Sequence, residues 1–177
     1  SSFQLETMVN FKPHVTAILN ITPDHLDRHK TLENYIAIKE SITKNQDEND
    51  FCVLNYNDPV LREFGKTPRC KVIFFSSSEE LESGVFLRGD TMIIKENGVE
   101  TPVCTTKDTS LVGMHNYENI MAAIAMTHAV GVPLDTIRQG IKEFTAVEHR
   151  IEFVAEKNGV KYYNDSKGTN PDAAIKA

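Results

Sequence analysis

Apolar runs of strand length alternate with helix-period stripes along this chain. Val15 to Ile21 is a largely apolar run, as a strand buried on both faces requires. Thr31 to Ile42 reads as a helix capped by Thr31, and Phe51 to Leu54 as a second buried strand. Asp58 and Pro59, cap then proline, open a short helix, and Val72 to Phe75 forms a third strand. From Gly84 to Val103 the pattern changes. Val85-Phe86-Leu87, Met92-Ile93-Ile94 and Val99 are separated by Gly89-Asp90 and Asn97-Gly98, which predicts an antiparallel meander set apart from the parallel strands. A helix follows from Asn116 to Val130, stopped by Gly131 with Pro133 beyond. Leu134, Ile137, Ile141 and Phe144 mark another, and Thr145 to Glu148 reads as a connector. Asn158-Gly159 then turns a hairpin between Ile151–Ala155 and Val160–Asn164. The pattern predicts an α/β domain over 1–148 and the beginning of a second domain over 149–177.

Composition narrows the possibilities. The 177 residues are 40% hydrophobic with a net charge of −6. That balance opposes a nucleic-acid surface, which needs clustered Lys and Arg. No apolar run approaches the roughly 18 residues of a membrane span. Cys52, Cys70 and Cys104 are odd in number and widely spaced, so reduced thiols are expected rather than a disulfide framework or zinc ribbon. The chain opens on Ser1 without a leader pattern, and the helix expected from Pro171 has under two turns by Ala177. A piece of a longer protein is the expectation.

Candidate chemistry concentrates in a few places. Asn164-Asp165-Ser166-Lys167-Gly168-Thr169-Asn170-Pro171 follows a strand and precedes a helix start, the arrangement with which α/β proteins build anion and nucleotide sites. Lys39 falls inside the apolar arc of its helix, between Tyr35 and Ile36. A lysine there either snorkels at the core edge or is a desolvated amine able to react, for instance with carbon dioxide. Asp24-His25-Leu26-Asp27-Arg28-His29 follows the first buried strand. It is either a cation or phosphate site or a polar loop with turn hydrogen bonds. Gly65-Lys66-Thr67 is a decoy, because a phosphate loop needs glycine where Val60 stands and a helix where Pro68 and Arg69 stand. Asn116 and Asn119 lie three apart at a helix start. Capping explains the first but not the second. Arg150 is either a surface charge or a ligand for phosphate or base.

Together these stretches resemble the Mur ligase family. The matching segments are Ser1 to Glu6, Asn20 to Arg28, Tyr35 to Lys39, Gly113 to Asn119, and His149 through Asn170, in family order. The Ser-Ser-Phe-Gln-Leu-Glu and Asn-Asp-Ser-Lys-Gly-Thr-Asn versions look like those of its D-glutamate-adding branch. The resemblance implies a central ATPase domain with a mostly parallel sheet, helices and a small antiparallel patch, then the first strands of a Rossmann-like domain. It implies an ATP-dependent amide ligase of peptidoglycan synthesis, joining D-glutamate to UDP-N-acetylmuramoyl-L-alanine through an acyl phosphate, with ATP and Mg2+. Lys39 matches the lysine that the family carbamylates to support the magnesium ion, and His25 matches a second ligand of it. Asn116, Asn119 and Arg150 match residues around the base and phosphates, and Asp165 the ribose ligand. Lys167 and Thr169 match the phosphate and D-glutamate end, while Ser1, Ser2 and Gln4 lie beside the muramoyl substrate. A cytoplasmic monomer of bacterial origin, acting on small molecules, completes the expectation. The family's phosphate loop is not in this sequence, so the chain alone is expected to be inactive.

Other readings stay open at this stage. A folylpolyglutamate synthase-like or cyanophycin-type ligase shares the ATP chemistry. A non-catalytic nucleotide-binding module keeps the fold without the reaction. A phosphoesterase built on Asp24, His25 and Asp27 lacks a second ligand cluster.

Overall fold

The computed structural model describes residues 1–145 and 148–168. Thr169 and the helix expected from Pro171 lie outside the described residues, as does the middle of the 145–148 connector. Six strands form one sheet in chain order: β1 (Val15–Ile18), β2 (Phe51–Asn55), β3 (Lys71–Ser76), β4 (Gly84–Arg88), β5 (Thr91–Glu96) and β6 (Val99–Thr105). β1 to β4 run parallel, and β4, β5 and β6 are antiparallel. The hairpin pattern predicts a meander set apart, and the structure corrects this. The meander joins the parallel strands edge to edge, with Phe75 opposite Val85 and Ser76 opposite Phe86. Gly84 makes the junction possible. Its φ is +128°, and a Cβ there would lie 2.2 Å from the carbonyl oxygen of Phe74, so only glycine lets β4 enter this close to β3.

The strand pleat divides the core between two faces. Val53, Phe75 and Val85 point to one side, under Ile120, Met121 and Ile124 of α5 (Met114–Ala129). Cys52 and Leu54, one residue out of phase, point to the other, under Leu61 and Phe64 of α4 (Pro59–Phe64). Each fully buried Leu, Ile or Phe of this kind contributes about 1.5–3 kcal/mol. α6 (Leu134–Glu143) adds Ile137 and Ile141 to the α5 side. The α/β arrangement expected from alternation is present, with helices on both faces of the sheet. All three cysteines are buried free thiols, and burial pushes Cys52 up to about 12. Among the described residues no helix is long and apolar enough to cross a membrane.

Three short elements complete the main body: α1 (Ser2–Leu5), α2 (Leu26–His29) and α3 (Leu32–Glu40), the last followed by a 3-10 turn over Ser41–Thr43. Thr31 caps α3, its hydroxyl accepting from Asn34 N at 3.2 Å. Among the described residues, β7 (Glu152–Lys157) and β8 (Val160–Asn164) pair only with each other. Their apolar side chains Phe153, Val154, Tyr162 and Tyr163 are exposed.

A charge cluster ties the amino ends of β1 and β2 together. Asp50, itself buried, accepts from Asp47 N at 2.9 Å and lies 3.0 Å from His14 Nδ1 and 3.2 Å from Lys12 Nζ. The Asp47 amide first, then His14, hold its carboxyl at about 2 instead of 3.8. Because the folded value lies below the unfolded one, this contribution is complete above about pH 4 and is lost as pH falls towards 2. Asp50→Asn is therefore expected to flatten the acid limb of a plot of melting temperature against pH while lowering stability at neutral pH. Circular dichroism melts across pH 2–7 check both.

Candidate functional site

The turn leaving β1 is the hinge of the site. Asn55 Nδ2 donates to Leu19 O at 3.1 Å, Lys39 Nζ donates to Asn20 O at 2.9 Å, and Ile21 N donates to Asp58 Oδ2 at 2.7 Å. Side chains thus take the backbone groups that a longer strand would have paired, and β1 stops at Ile18 although its apolar run continues. Asp58 has a second duty. Its other oxygen accepts from Val60 N and Leu61 N, at 2.9 and 3.3 Å, and caps α4. Asp58→Ala removes the cap and leaves the Ile21 amide without its partner. A loss of about 2 kcal/mol is expected, measurable by urea unfolding, with Asp58→Asn recovering part of it.

Two cavities flank this turn at the carboxyl ends of the parallel strands, the ligand position of open α/β sheets. Leu19 and Asn20 border both. The smaller, about 390 Å3, is lined by Ser1, Ser2, His25, Tyr35 and Lys39 together with apolar residues of β1. The larger, about 700 Å3, is lined by Asn55 at the end of β2, by Asn57 and Asp58 just after it, by Gly113 to His115, Glu118 and Asn119 of the α5 start, and by Arg150, Asp165 and Lys167.

In the smaller cavity Lys39 is half-buried, its amine 5.1 Å from the centroid of the Tyr35 ring and 3.3 Å from the Tyr35 hydroxyl. The amine emerges at the cavity wall, the snorkelling arrangement rather than a core-sealed one. His25 is exposed and sits in the left-handed backbone region at φ 54°, with its amide donating to Asp24 Oδ1 at 2.8 Å and its ring 4.8 Å from that of Phe3. Among the described residues no three His, Cys, Asp or Glu side chains gather as a metal cluster.

The larger cavity is built on the first turn of α5. Gly113, at φ +100°, leaves room for the His115 ring, which a Cβ would approach to 2.9 Å. Glu118 is fixed by the Ser77 hydroxyl at 2.6 Å. Asp165 accepts from Ile151 N at 3.1 Å, and the Lys167 amide donates to His149 O at 2.9 Å, so the two ends of the β7–β8 hairpin are held together. Unpaired amides at the start of a 16-residue helix, with Arg150 and Lys167 nearby, make one end of this cavity receptive to anions.

Most of the expected site residues fall into these two groups. Asn119, Arg150, Asp165 and Lys167 share the larger cavity, and Ser1, Ser2, His25 and Lys39 share the smaller. Two do not join them. Asn116 turns back to donate to Val112 O at 2.8 Å, and exposed Gln4 accepts from the Ser1 nitrogen at 3.4 Å. Thr169 lies outside the described residues. Gly65-Lys66-Thr67 closes α4 away from both cavities, as the decoy reading expects. Asn55, Asn57 and Glu118 are lining residues that the sequence reading missed. The first two follow a buried strand, which is the one signal that pointed to them.

The chain is similar to known proteins in sequence and in fold. Residues 1–127 match the family described as Mur ligase middle domain. The chain belongs to the Mur ligase family. Among curated relatives, it is 54% identical over all 177 residues to the UDP-N-acetylmuramoylalanine--D-glutamate ligase of Lachnoclostridium phytofermentans, and 52% identical to that of Lachnospira eligens. In each case it spans 39% of the relative's length. Solved Mur ligases share the fold. MurF from Acinetobacter baumannii superposes with TM-score 0.70 at 21% identity, over 93% of this chain and 36% of that one. The UDP-N-acetylmuramate-alanine ligase MurC of Thermotoga maritima gives 0.68 at 21%, over 99% and 38%. The mostly parallel Mur ligase sheet with its antiparallel continuation is thereby established for this chain.

Proposed function

We propose that the protein containing this chain is an ATP-dependent ligase that adds D-glutamate to UDP-N-acetylmuramoyl-L-alanine in peptidoglycan precursor synthesis. The observation that carries the reading is the pair of cavities sharing the Asn20 turn. One holds cations and a helix start suited to a nucleotide, and the other holds Ser1, Ser2, His25 and Lys39. The activity for which relatives at about half identity are named supports this choice of reaction.

In the reaction, an oxygen of the muramoyl-alanine carboxylate attacks the γ-phosphorus of ATP and ADP leaves. The amine of D-glutamate then attacks the acyl phosphate carbon, inorganic phosphate leaves, and the nitrogen sheds its proton. Both steps gather negative charge, so positioning and fixed positive groups dominate catalysis. Lys167, Arg150 and the α5 amides offset phosphate charge, the Asp165 carboxylate accepts from ribose hydroxyls, and Asn119 meets the base. Asn116 and Gln4 belong to this set by family resemblance alone, and Thr169 stands at the D-glutamate end in the same way. Ser1 and Ser2 border the muramoyl substrate.

Magnesium takes oxygen ligands and keeps waters and phosphate oxygens, so one or two protein donors suffice. A Lys39 carbamate would supply such an oxygen, whereas an ammonium repels the ion, and His25 would add an imidazole nitrogen beside it. Bound there, the ion would neutralise phosphate charge. A cytoplasmic monomer, with a second domain beginning near residue 149, completes the proposal.

The test uses the intact protein with ATP, UDP-N-acetylmuramoyl-L-alanine and single amino acids. D-Glutamate-dependent ADP release and an amide product of the right mass are expected. A preference for a folate acceptor or an L-amino acid, or no product at all, overturns the assignment.

A further inference from the structure

Behind the smaller cavity, buried Ser2 and His29 meet the exposed Glu6, and the reaction above assigns no role to His29 or Glu6. The His29 side chain is fully buried, between the rings of Phe3 and Tyr35 at 5.6 and 5.5 Å. Its Nε2 is 3.0 Å from Ser2 Oγ. Its Nδ1 is 3.2 Å from Glu6 Oε1 without forming a hydrogen bond, so among the described residues this buried atom has no hydrogen-bonding partner. Glu6 is anchored by Arg28, whose Nη2 donates to Oε2 at 2.8 Å. The Arg28 guanidinium beside Glu6 holds its carboxyl below the usual range.

A neutral imidazole carries one N–H, and its neighbours decide on which nitrogen. The anionic Glu6 beside Nδ1 draws the proton there, which leaves Nε2 as an acceptor. The Ser2 hydroxyl must then donate to His29, and its oxygen keeps only lone pairs for the cavity it lines. We propose that His29 is a positioning residue that fixes the Ser2 oxygen as a hydrogen-bond acceptor for the occupant of the smaller cavity. The geometry selects a ligand group carrying an N–H or O–H donor, such as an amide, and disfavours a carboxylate or carbonyl at that point. The identity of the ligand rests on the proposed ligase reading, while the tautomer does not. The plainer alternative is a histidine that merely fills space under α1 and α2, which predicts no link between His29 and ligand affinity.

Two measurements test the idea. Nitrogen-15 spectra of histidine-labelled protein, taken on the 177-residue chain, read the tautomer directly. A protonated Nδ1 and a bare Nε2 on His29 are expected, with Ser2→Ala shifting the Nε2 signal alone; a protonated Nε2 overturns the proposal. In the intact protein, Ser2→Ala and His29→Asn should each raise KM for the muramoyl acceptor about tenfold, the loss of one hydrogen bond, with KM for ATP and kcat little changed. His29→Gln, whose amide reaches the Nε2 position, should recover most of that loss, and the double variant should be no worse than either single one. Additive effects, or equal shifts in both KM values, overturn it. Ser2→Ala removes one oxygen and leaves His29 in place, so it answers the question if the His29 variants fail to fold. An intact protein that makes no product sinks the ligase reading and leaves the tautomer spectrum to decide this one.

Discussion

Lys39→Ala in the intact protein is expected to lose about 10²–10³-fold in turnover, the scale for removing a group that stabilises transition-state charge. Added formate, acetate or propionate should restore part of it. The side chain leans on Tyr35 and reaches the cavity shared with Ser1, Ser2 and His25, so alanine opens a pocket of small-carboxylate size there. A carboxylate in that pocket replaces the anionic end of a carbamate, whereas it cannot replace a plain ammonium. The rescue therefore separates the two forms of Lys39. Turnover near the unmodified level, or a loss that no short acid relieves but an added amine does, would end the carbamate assignment.

The 177-residue chain by itself should neither hydrolyse ATP nor form the amide, even with magnesium and both substrates present. Transfer of the γ-phosphoryl group relies on a glycine-rich loop and lysine around the β and γ phosphates. This sequence offers only Gly65-Lys66-Thr67, at the end of α4 and outside both cavities. Arg150, Asp165 and Lys167 are carried by a two-stranded hairpin with exposed apolar side chains, and such a hairpin is marginal in water without further packing. Titration calorimetry with a non-hydrolysable ATP analogue should give weak or undetectable binding. Micromolar affinity, or phosphate release above blank, would reveal a phosphate site elsewhere in the chain.

Much of this architecture is legible in the sequence because local signals agree with one another. Thr31 and Asp58 cap the helices they announce, and Asn97-Gly98 and Asn158-Gly159 turn the hairpins they predict. The two four-residue helices α1 and α2 are not, since one turn is too short to display a period. The union of β3 with β4 is also hidden. It depends on a close backbone approach at Gly84 that no hydrophobic pattern records. The end of β1 at Ile18 follows from side chains on β2, α3 and α4 that arrive from far along the chain.

The site divides in the same way. Lys39, His25, Asp165 and Lys167 stand out as chemistry in unusual surroundings, and each borders a cavity. Asn55 and Asn57 read as the ordinary exit of a strand, and Glu118 as one polar residue on a helix. Only the sheet's geometry brings them to the same space. Asn116 shows the converse, because its amide satisfies the Val112 carbonyl instead of reaching a ligand.

The clamped turn after β1 has a thermodynamic corollary. Three consecutive residues, Leu19 to Ile21, are each tied by a different side chain, so the conformational freedom of the wall between the cavities is surrendered when the chain folds. Fixing one residue's backbone costs about 1–2 kcal/mol. An occupant on either side of Asn20 meets a surface already in its bound shape, and none of that entropy is subtracted from its affinity.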